Sequence, residues 1–221
     1  ARAGEARATS TVMQEVVRVV GNIVAGIREV ARKPKAGAAI TTYLWLRFLW
    51  SFTIVGISFI ARDLLADKEM QQLFVTGGAG AVGAGLGFLL AGTLHKRVRT
   101  PARLVIAASV LAGTAVAVLG GLELRATLAL LTFFLGLGFF LGKISLDTMV
   151  QEALGDDFRG RAFSLYDIAY NIAWVLAATI MQLFWTAEVQ GALIAIIGVA
   201  FLLGIALLAQ WYRRAGLLAP A

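Results

Sequence analysis

The sequence predicts an all-α membrane protein of six transmembrane helices, preceded by an amphipathic helix lying on the membrane surface. Three observations carry that prediction. Apolar residues make up 59% of the 221-residue chain and charged residues only 15%, with a mean hydropathy of +0.81, far from the balance of a water-soluble domain. Six apolar stretches are each about as long as the ~20 residues needed to cross a bilayer. The basic residues fall in short blocks between those stretches, on alternate connectors.

The chain begins Ala1-Arg2-Ala3-Gly4, with no initiating Met and no apolar signal-peptide core, so it reads as a segment of something longer or a processed product. The first element expected is the surface helix within residues 1–37. Thr11-Val-Met-Gln14 resembles a capping box, and Val12, Val16, Val20, Ile23, Ile27 and Val30 then recur at helical spacing. Gln14, Glu15, Arg18, Asn22, Arg28 and Glu29 interrupt that stripe, which favours lying along a headgroup layer over crossing it, or else packing on a further soluble segment. Pro34 ends it.

A six-helix bundle is expected over residues 38–214, with a short tail at 215–221. The spans are Ala38–Ile60, Leu73–Leu94, Leu104–Leu124, Thr127–Ile144, Phe163–Trp185 and Gly191–Tyr212. Orientation follows from the retention of Lys and Arg on the cytoplasmic side. Arg28, Arg32, Lys33, Lys35, Lys96, Arg97, Arg99, Arg103, Arg159, Arg161, Arg213 and Arg214 all fall on one side, against Arg62, Lys68 and Arg125 on the other. Both termini are therefore expected in the cytoplasm, and the protein in a plasma or inner membrane.

Helices in lipid gain little from hydrophobicity toward one another, so small residues must let them approach. Ala79, Gly83, Gly87 and Ala91 form such a stripe on the second span, Ser109, Gly113, Ala117 and Gly121 on the third, and the fourth adds Gly138 and Gly142. Gly77-Gly78-Ala79-Gly80 follows no strand and precedes no Lys-Ser/Thr pair, so it is no phosphate loop.

Ionisable residues inside a span are costly and mark helices that face protein or water. Spans three and six are aliphatic apart from their ends. Span one holds Arg47, span four ends in Lys143 and Asp147, and span five opens with Asp167 and Asn171. Spans one, four and five should then surround a polar interior with three and six outside. Arg47 lies roughly 13 Å beyond the expected start of its helix, too deep for easy snorkelling. A cluster of Arg47, Lys143, Asp147 and Asp167 would balance two positive and two negative charges. It can be read as a permanent ion-pair staple, as a gate that breaks and reforms, or as a direct binding site for substrate or protons. Tyr43, Trp45, Phe48, Trp50 and Phe52 on span one, with Tyr170 and Trp174 on span five, could offer cavity aromatics to an amphiphilic ligand; interfacial anchoring accounts equally well for those near helix ends.

Other functions are argued against by the same residues. With no cysteine and a single histidine in the chain, thiolate chemistry is impossible. No span carries HExxH or GxSxG, so an enzyme is not expected, and neither a cofactor nor a metal site. The net charge of +7 sits in topology-determining blocks, which speaks for lipid headgroups and against nucleic acid.

Across spans four and five the sequence runs Leu135-GLGFFLGKISLDTMVQEALGDDFRGRAFSLYDIAYN-Ile172, which resembles the corresponding stretch of the major facilitator superfamily. Asp147 and Gln151 at a span end, Asp156-Asp157, and Arg159-Gly160-Arg161 before the next helix resemble the tenth-to-eleventh helix connection in exporters of the siderophore and macrolide efflux type. Gly26-Ile-Arg-Glu-Val-Ala-Arg-Lys-Pro34 looks like the end of the linker between that family's two six-helix halves. The resemblance implies one half of a major facilitator fold, family helices seven to twelve, whose seventh, eighth, tenth and eleventh helices line the cavity. It further implies an N-terminal six-helix half on another segment, a small amphiphilic substrate moved by alternating access, and proton coupling. Together with the interior charges, the gate or transport-path candidates are Arg47, Lys143, Asp147, Gln151, Arg159, Arg161, Asp167 and Asn171. The chain departs from the family at Gly92-Thr-Leu-His-Lys-Arg-Val-Arg-Thr-Pro101, where Lys96 stands in place of an Asp; His95 in this loop is expected to be solvated. A transport-inactive scaffold that binds other subunits of a larger membrane complex is the alternative.

Overall fold

The computed structural model describes residues 32–64, 69–98, 100–122, 125–154, 156–186 and 188–219, together with positions 14, 17, 21 and 28; within helices, the side chains of residues 63–64, 69, 125, 156–166 and 169 lie outside the description. Its six helices are α1 (Pro34–Leu64), α2 (Glu69–Val98), α3 (Pro101–Leu119), α4 (Arg125–Ala153), α5 (Asp156–Phe184) and α6 (Gln190–Arg214). Among the described residues, five of them are long and apolar enough to cross a membrane. In α5 the described apolar run is Tyr170–Phe184, and Asp156, Asp157, Arg159, Arg161 and Asp167 fall in its first half. The surface helix falls almost wholly outside the described residues.

Helix boundaries run further than hydropathy alone suggests, because polar residues continue the helices beyond their apolar centres. Pro34 opens α1, where its missing N–H costs no helical hydrogen bond. Pro101 does the same for α3 after an extended Thr100, whose carbonyl accepts from Arg103 and Leu104. The end of α2 reaches Val98, so His95 belongs to a helix and not to a loop. Nor is it simply solvated: it is half-buried and 2.9 Å from the buried Ser145 hydroxyl of α4.

Helices α1, α4, α3 and α6 pack as a ring in that order, with α2 seated mainly on α4 and α5 mainly on α1. This places α3 and α6 at the back and leaves an open face whose floor is α1 and α4 and whose flanks are α2 and α5. The core runs along the ring through Leu46, Leu49 and Ile60 of α1, Leu131, Leu135 and Leu146 of α4, Val105 and Val116 of α3, and Ile194 and Ile205 of α6.

Small residues set the closest approaches. A Cβ on Gly83 or Gly87 of α2 would run into the carbonyl oxygens of Phe133 and Leu137 of α4, and one on Gly136 of α4 into that of Gly80. At the back, Gly198 of α6 lies against the backbone of Ala117. Polar bonds fasten α1 to α6: Trp45 Nε1 donates to the Phe201 carbonyl at 3.0 Å, and the buried Tyr212 and Thr42 hydroxyls meet at 3.0 Å.

Candidate functional site

The open face is built by helical spacing. On α1, Arg47, Trp50, Ile54 and Ser58 recur every three or four residues and so share one side of the helix; on α4, Thr132, Phe139, Lys143 and Asp147, at steps of seven, four and four, also share a side. Arg47 stands one residue from the centre of the Pro34–Arg62 span and Phe139 at the centre of Ala126–Ala153, while Tyr170 is the central residue of α5. Three helices thus present these side chains at mid-height of the bundle.

There the Arg47 guanidinium carbon lies 3.6 Å from the Tyr170 ring centroid and 5.1 Å from that of Phe139. A cation over ring faces gains about 2 kcal/mol or more when desolvated. The longer α1 puts Arg47 deeper than the sequence suggested, and its contacts differ from the expected four-charge cluster. Lys143 pairs with Asp147 at 2.6 Å along α4, whereas Arg47 stacks on rings with its Nε buried and unpartnered. Asp167 is exposed on α5; it and Tyr43 are within electrostatic range of Arg47 without pairing with it. A side-chain pair four residues apart on one helix is a local matter. The partner of a residue on a different helix is decided by packing, and here rings outcompete carboxylates for Arg47.

Of the other expected path residues, Asn171 is exposed and donates to the Asp167 carbonyl at 2.9 Å, and Gln151 is exposed near the end of α4. The side chains of Arg159 and Arg161 lie outside the described residues. Tyr43 is buried on the Arg47 side of α1, and Trp174 meets Tyr170 edge-on at 6.3 Å with its Nε1 buried and unpartnered. Phe48, by contrast, is not brought to this face. It lines a separate hollow of about 230 Å³ with Trp45, Phe52 and Phe201, between α1 and α6, because one residue's step from Arg47 turns it about 100° around the helix.

A larger groove went unread in the sequence. About 540 Å³ in volume, it is lined by Trp50, Ile54 and Ile57 of α1, Thr76 and Gly80 of α2, and Thr132 and Phe140 of α4, among others. Trp50 joins it to the cation site, its ring centroid 4.7 Å from that of Phe139. The groove extends from mid-height toward the end of the bundle where α1 finishes and α2 begins. Lys143 and Asp147 lie toward the other end, so the face is apolar in one half and charged in the other. The heptad-like spacing of Arg47, Trp50, Ile54 and Ser58 is the signal that could have shown the α1 wall.

The family model of the Major Facilitator Superfamily matches residues 4–178. This chain belongs to the Major Facilitator Superfamily. Members of that superfamily are membrane transporters, and the four-helix ring with two flanking helices is a multi-pass membrane unit consistent with the family fold. The matched region takes in α1 to α4 and most of α5, including Arg47, Phe139, Lys143, Asp147 and Tyr170. Comparison with curated proteins and with solved structures gave no match.

Proposed function

We propose that the chain is the C-terminal six-helix half of a secondary active transporter that exports a small amphiphilic molecule by alternating access. The observation that carries this reading is the open face: a half-buried cation on aromatic rings at mid-height, next to a groove of about 540 Å³. Substrate sites of such transporters lie near the bilayer midplane between two repeated halves. An N-terminal six-helix half then covers the α1–α4 floor, and α5 completes the sixth span. Both termini lie in the cytoplasm, in a plasma or inner membrane, and the similarity of the α4–α5 connection to exporters supports outward transport driven by protons.

The Lys143–Asp147 pair is the gate in this account. It sits between the mid-height site and the end of the bundle that bears Lys35 and Glu152, themselves 2.5 Å apart. A gate that alternates between paired and open states shifts its balance when one member is neutralised. The test is to reconstitute both halves in liposomes and measure assembled yield and substrate flux for Asp147→Asn and Asp167→Asn. Normal yield with altered flux is expected. Normal yield with unchanged flux in both variants rejects the gate and puts a transport-inactive scaffold ahead.

A further inference from the structure

We infer that the substrate of this face is an anionic amphiphile, its head held by Arg47 and its apolar body laid in the groove beyond Trp50; the inference rests on the transport reading and gives it a substrate class. Three observations converge. First, the face is divided. From Trp50 to Ser58 the α1 wall runs roughly 12 Å along a groove whose surface is almost wholly apolar, bounded by Phe140, Ile54 and the small residues Gly80 and Ala84. Second, Arg47 is the charge at the groove's end whose partners are rings. Lys143 is already neutralised by Asp147 at 2.6 Å, so among the described side chains of the face Arg47 is left as the cation able to take an anion. Third, the buried polar groups left unpartnered beside the Tyr170 ring are donors: Nε of Arg47 and Nε1 of Trp174.

A carboxylate, sulfonate or phosphate head accepts from both donors. A cationic head would leave both unpaired and stand beside Arg47. The buried acceptor of the face, Oδ1 of Asp147, belongs to a carboxylate whose other oxygen holds Lys143. Asp167, within electrostatic range of Arg47, opposes an anion at this site, which makes its removal informative. Ring stacking leaves the edge of the guanidinium available, since a cation–π contact uses its face.

The test uses the full chain in nanodiscs of zwitterionic phosphatidylcholine, with decanoate and decyltrimethylammonium as probes of matched tail, followed by calorimetry. Decanoate is expected to bind more tightly than the cationic probe. Arg47→Gln should weaken decanoate roughly ten-fold or more, as for loss of a charge-assisted bond, with Arg47→Lys retaining part of the affinity. Asp167→Asn, a change at an exposed side chain that leaves packing intact, should tighten decanoate binding. Doping the nanodiscs with phosphatidylglycerol separates the two sources of such a head: Arg47-dependent competition assigns the site to a lipid, and undiminished decanoate binding assigns it to a free solute. Preference for the cationic probe, or decanoate affinity unchanged in both Arg47→Gln and Asp167→Asn, overturns the inference. Because binding is read without transport, that failure leaves the transporter reading standing, while absence of flux from the reconstituted halves fails that reading alone.

Discussion

Replacing Gly87 with alanine tests how α2 is held. A Cβ there would stand 2.6 Å from the Leu137 carbonyl oxygen and 3.2 Å from the Leu141 nitrogen of α4. Ordinary contact begins near 3.4 Å, so the helices must part by about 0.8 Å, and overpacking of this kind costs about 1–3 kcal/mol. Alanine also gains about 1 kcal/mol over glycine in a helix, which hides part of the cost. Gly85 supplies the control: it is on the same helix with nothing within 4 Å of its Cβ position, so Gly85→Ala carries the gain alone. The difference between the two variants is then the packing term, about 1–3 kcal/mol. Since α2 is seated mainly on α4, the strain falls chiefly on that one interface. Thermal unfolding in detergent, followed by circular dichroism, should place the midpoint of Gly87→Ala several degrees below that of Gly85→Ala. Equal midpoints would refute the close α2–α4 seat, and with it the position of the Thr76 and Gly80 wall of the groove.

Further expectations concern the same interfaces and the orientation. Thr132 Oγ1 donates across helices to the Thr76 carbonyl at 2.8 Å, so Thr132→Val should lower stability by about 0.6–1.7 kcal/mol in the same unfolding assay and weaken probe binding in the groove. Tyr212→Phe removes a buried hydroxyl that meets Thr42 at 3.0 Å and the Ala38 carbonyl at 3.3 Å; a loss of about 1 kcal/mol is expected, without change in substrate flux, since the pair fastens α1 to α6 away from the open face. Cysteines placed at Arg99 and Lys68 should label from opposite sides of the membrane in sealed vesicles, Arg99→Cys from the cytoplasmic side; labelling of both from outside would overturn the orientation.

Much of the scaffold was legible because a bilayer imposes long apolar stretches. Each of the six stretches falls on one of the six helices. The glycines at 83 and 87 announced a close approach by their spacing, and the structure names its partner as α4. Lys143 and Asp147 were legible as a pair because both lie on one helix, four residues apart. Arg47 was legible as a deep charge but not as a ring-stacked one, since its neighbours Phe139 and Tyr170 lie about 90 and 120 residues further along the chain and only tertiary packing brings them near. The extra turns at the start of α1 and the end of α2 were lost to hydropathy, which sees Lys35, His95 and Lys96 as connector. Packing through those turns is what buries His95 against Ser145.

The central claim is that the Arg47 face of α1 borders a water-accessible path while the back of the bundle meets lipid. Because the chain has no cysteine of its own, single cysteines can report on this without background. Ile54 lines the groove on the open face, and Leu203 is 65% exposed on α6 at the back of the bundle. In membranes containing the assembled protein, a hydrophilic maleimide should modify Ile54→Cys and leave Leu203→Cys unmodified, with the anionic amphiphile protecting the former. Modification of Leu203→Cys with Ile54→Cys inert, or equal inertness at both, would contradict the account.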